Sequence, residues 1–66
     1  MSTREERAQV MAALLALWEA YPDWRIGQLV ANVAMMARGV EPGAVWEMSS
    51  QEVVEAVERH LARRRG

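Results

Sequence analysis

The stretch Leu17-Trp18-Glu19-Ala20-Tyr21-Pro22-Asp23-Trp24 decides how this chain is divided. Pro22 has no N–H and disfavours the α conformation at the residue before it, so a helix running into it stops at about Tyr21. Asp23 follows at once and is a good N-cap, which predicts a second helix from Trp24. One proline thus splits a continuous apolar pattern into two helices joined by a tight corner.

Upstream of the corner, Val10, Leu14, Leu17 and Tyr21 recur along one line, with Met11, Leu15 and Trp18 beside it. That is helical spacing, and it predicts a first helix over about 4–21. Ser2 or Thr3 caps it, Glu5 and Glu6 suit the positive end of its dipole, and Ser2 with Glu5 has capping-box spacing. Downstream, Ile26, Leu29 or Val30, Val33, and Met36 or Ala37 predict a second helix over about 24–38, closed by Arg38 and by Gly39 at the C′ position. Gly27 costs that helix up to about 1 kcal/mol relative to Ala; it marks either a close helix crossing or a tolerated exposed glycine. Met35 and Met36 are adjacent and therefore point to different faces.

The connector 40–48 contains Pro42-Gly43, a type II turn signal with Gly supplying positive φ at the third position. Val45, Trp46 and Met48 are too bulky for a flexible loop, so the expectation is an ordered, extended stretch with Trp46 plugging the gap between helices. Ser49 and Glu52 then form a capping box for a third helix over about 50–64, with Val53, Val54, Val57 and Leu61 inward. The fold class is all-α: three short helices and an aromatic-containing loop, in one domain spanning 1–66.

Composition bounds the function. With 66 residues the chain fits one small domain, for which burial at roughly 25 cal/mol per Å² nearly cancels an ordering cost of roughly 1.5 kcal/mol per residue. There is no Cys and a single His, so disulfide and metal staples are lacking, which leaves helix packing or self-association. Hydrophobic residues make up 52%, enough for a folded chain, and the net charge of −1 gives no field to gather nucleic acid. All eight basic residues are Arg, which points to a GC-rich genome rather than to chemistry. The first 20 residues lack the pattern of a signal peptide, and the longest apolar run, Val10 to Trp18, falls far short of the ~20 residues that span a bilayer, so a soluble, cytoplasmic chain is expected.

Catalytic motifs are missing. His60 sits on a charged helix end beside Arg59 and Arg63 and reads as a surface residue; no metal-ligand spacing, nucleophile motif or phosphate loop is present. No enzyme activity, cofactor or metal is expected. Arg63-Arg64-Arg65, with Arg59, is the one basic cluster. Its plain role is to complement the helix dipole, and its functional role would be phosphate contact. The aromatics are more informative. Trp18 and Trp46 read as core, whereas Trp24, at the exposed start of the second helix, would suit a hot spot on a partner surface. Arg25, Gln28 and Asn32 form a polar stripe beside it, which is either the solvated face of the helix or, through Gln28 and Asn32, a set of hydrogen-bonding groups for the connector's backbone or for a partner. Met11, Met35, Met36 and Met48 could supply an adaptable apolar surface.

The run from Leu17 to Asn32 resembles a group of short, uncharacterised bacterial and phage proteins that carry a Trp, then Pro-Asp, then an Arg-hydrophobic-Gly-Gln-Leu helix ending near an Asn. The matching residues are Trp18, Pro22, Asp23, Arg25, Gly27, Gln28, Leu29, Asn32 and, in the following loop, Trp46. The resemblance covers roughly 14–61 and departs at Ser49-Ser50-Gln51, where acidic residues are the pattern. It implies a small domain with a patterned surface on its second helix and carries no activity. The expectation is therefore a non-enzymatic protein–protein interaction module, self-associating as a homodimer, with Trp24, Arg25, Gln28 and Asn32 as its partner-binding side. The alternative is a nucleic-acid-associated or regulatory protein using Arg59, Arg63, Arg64 and Arg65.

Overall fold

A computed structural model describes residues 3–65. Its elements are α1 (Arg4–Ala20), α2 (Ile26–Arg38), a single turn α3 (Ala44–Glu47) and α4 (Ser50–Arg65), with no strand among the described residues. The all-α class holds, with one short helix more than the three expected.

Thr3 caps α1: its Oγ1 accepts from the Glu6 N–H at 3.1 Å, and Glu6 Oε1 accepts from the Thr3 N–H at 3.3 Å. The alternative cap, Ser2, lies outside the described residues. At the far end the Tyr21 N–H reaches back to the Leu17 and Trp18 carbonyls, and Pro22 ends the helix.

The second helix begins later than the sequence pattern implies. A turn closes from the Trp24 N–H to the Tyr21 carbonyl at 3.1 Å, and the indole N–H of Trp18 donates to the Trp24 carbonyl at 2.7 Å. A helix starting at Trp24 needs that carbonyl for its own ladder. That carbonyl points to the indole instead, and the first helical bond is Leu29 N–H to the Arg25 carbonyl, 2.9 Å. Arg25, not Asp23, is the N-cap, and Gln28 Oε1 accepts the Arg25 N–H at 2.8 Å. Gly27 is exposed with open space around its Cβ position, so it marks no helix crossing.

The core is Leu17 of α1, Leu29 and Val33 of α2, and Val53 and Val57 of α4, with Ala34, Ala44 and Ala56 buried beside them. Helix α4 packs on both α1 and α2, and the alanines let the backbones come close. Half-buried Val10, Leu14, Trp18, Tyr21, Trp24, Met36, Met48 and Leu61 close the edges of this core. Met36 therefore faces inward while Met35 is exposed, the split their adjacency requires.

Candidate protein-binding surface

The connector is built to hold one shape. Gly39 ends α2 at φ +69°, ψ −158°, a region open only to glycine, while its N–H bonds to the Met35 carbonyl at 2.8 Å. Pro42-Gly43 makes the type II turn, with Gly43 at φ +79°, ψ +5° and the Ala44 N–H on the Glu41 carbonyl at 3.0 Å. The chain then coils for one turn instead of running extended: the Glu47 and Met48 amides bond to the Gly43 and Ala44 carbonyls at 3.0 and 3.1 Å.

That turn decides where Trp46 goes. Ala44 and Met48 are four residues apart, lie on one face, and both pack inward. A residue two positions after Ala44 lies about 200° further round the axis, so Trp46 turns outward. It is 90% exposed. The sequence expectation that Trp46 plugs the gap between helices is corrected: Ala44 and Met48 fill that position.

Arg38 locks the arrangement. Its Nε and Nη2 donate to Glu52 Oε2 and Oε1 at 2.8 and 3.0 Å, Nη2 also donates to the Glu47 carbonyl at 3.3 Å, and Nη1 lies 3.5 Å from Glu41 Oε1. One guanidinium thus ties the end of α2, both sides of the connector and the start of α4. Glu52 also receives the Ser49 N–H at 3.2 Å and gives its own N–H to Ser49 Oγ, the expected capping box. The hydrogen bonds from Arg38, and then from the Ser49 backbone, pull the Glu52 carboxyl down to about 2 from 4.5, and the same pairing raises Arg38.

Outside this lock stands an apolar face. Val40 is 92% exposed, Met35 56% and Val45 53%, and with Trp46 they border a shallow hollow of about 520 Å³ floored by Ala31, Ala34 and Ala44. Large exposed apolar residues elsewhere are Met11 and Leu15, one turn apart on α1, and Ile26. Of the four methionines proposed as an apolar surface, Met11 and Met35 are exposed, whereas Met36 and Met48 belong to the core edge.

The residues singled out in the sequence lie elsewhere. Trp24 is half-buried, stacked on Tyr21 with ring centroids 4.2 Å apart and planes 3° apart, so it is not the exposed aromatic that its position implied. Arg25 and Gln28 are exposed and joined at the helix start; Asn32 is half-buried, and no hydrogen bond links it or Gln28 to the connector among the described residues. His60 is not a free surface residue either: its Nε2 is 2.7 Å from the Tyr21 hydroxyl. Arg64 lies over the Tyr21 ring, 4.8 Å from its centroid; Arg59 donates to the Met36 carbonyl at 3.1 Å and Arg65 to the Leu61 carbonyl at 3.4 Å. Three of the four candidate phosphate-binding arginines thus make contacts within the chain while staying exposed, and Arg63 makes no such contact among the described residues.

No described helix is long and apolar enough to cross a membrane. Compared with models of known families, with curated proteins and with solved structures, the chain matches none. What defines it is therefore its own surface, a small helical domain that presents one tryptophan on a locked corner.

Proposed function

We propose that this chain is a non-enzymatic protein–protein interaction module, that it self-associates, and that the surface around Trp46 makes the contact. One observation carries the reading: a tryptophan 90% exposed, on a connector fixed by Arg38 at both sides, beside equally exposed Val40. Leaving an indole in water forgoes one of the largest gains that a 66-residue chain has available. Tryptophan is also the side chain most enriched at contact hot spots. A rigid mount adds to this, since little side-chain or loop ordering is then lost on contact.

The test is sedimentation equilibrium over a concentration series from low to high micromolar. The reading predicts a weight-average mass that rises with concentration. A mass fixed at that of one chain throughout would contradict it.

A further inference from the structure

We draw no further inference here: the strongest candidate, the surface patch of Met11 and Leu15 one turn apart on the exposed side of α1, carries none because nothing in the structure shows what covers it.

Discussion

The corner at residues 21–24 and the connector at 40–48 are made of the same materials and end in opposite states. Each has a proline turn and a tryptophan just after it, Pro22 with Trp24 and Pro42 with Trp46. At the corner the tryptophan is gathered in: Tyr21 stacks on its ring, and Trp18 holds its carbonyl. At the connector the tryptophan is turned out, because Ala44 and Met48 already fill the inward face and Arg38 satisfies the Glu47 carbonyl. A bulky aromatic in a loop therefore does not announce its own burial. What decides is whether neighbouring residues leave a place for it.

Cutting both tryptophans to alanine gives the largest expected contrast. Trp24→Ala removes a stacked, half-buried ring and should cost about 2–3 kcal/mol, read by urea unfolding. Trp46→Ala should stay within about 0.5 kcal/mol at concentrations where the chain is monomeric. Equal losses at the two sites would erase the distinction.

The connector's lock responds to acid. The Glu52 carboxyl is held at about 2 in the folded chain against an ordinary 4.5, so the unfolded chain binds more protons between those values. Its stabilising contribution is complete above about 4.5 and is lost as the pH falls towards 2. Melting temperatures recorded across that window should fall with acid, and Glu52→Gln should flatten part of the slope. A variant with an unchanged slope would show that the lock is weaker than its geometry implies.

At the corner, Tyr21→Phe keeps the ring stack and removes only the hydroxyl bonded to His60, with an expected loss of about 1 kcal/mol by urea unfolding. The smallest effect expected has the opposite sign. Gly27→Ala, with open space at its Cβ position and no special backbone angle, should raise stability by about 0.5–1 kcal/mol.

Local rules made much of this fold legible. The periodicity of α1 and α4, the Ser49–Glu52 box, the Pro42-Gly43 turn and the opposed directions of Met35 and Met36 all depend on residues within a turn or two of one another. The misreadings have several causes. Asp23 is a better N-cap than Arg25 in isolation, but Trp24 is held in a turn, its N–H on the Tyr21 carbonyl and its own carbonyl on the Trp18 indole, and the helix begins after it. His60 reads as exposed because its partner, Tyr21, is 39 residues away in sequence. For Trp46 a local signal did exist: Ala44 and Met48 are spaced to share a helical face, and reading them as one turn points the tryptophan away from the core. The surface proposed for contact was thus in part readable, whereas the pairing of Arg38 with Glu52 that fixes it was not.

The central claim is that Trp46 is open to water in the single chain and covered when two chains meet. Acrylamide quenching of tryptophan fluorescence, in the parent and in Trp46→Phe, measures this directly. At low micromolar concentration the parent should show a strongly quenched component that Trp46→Phe lacks, and raising the concentration should protect it. A quenched component that is the same in both proteins, or that does not change with concentration, would contradict the account.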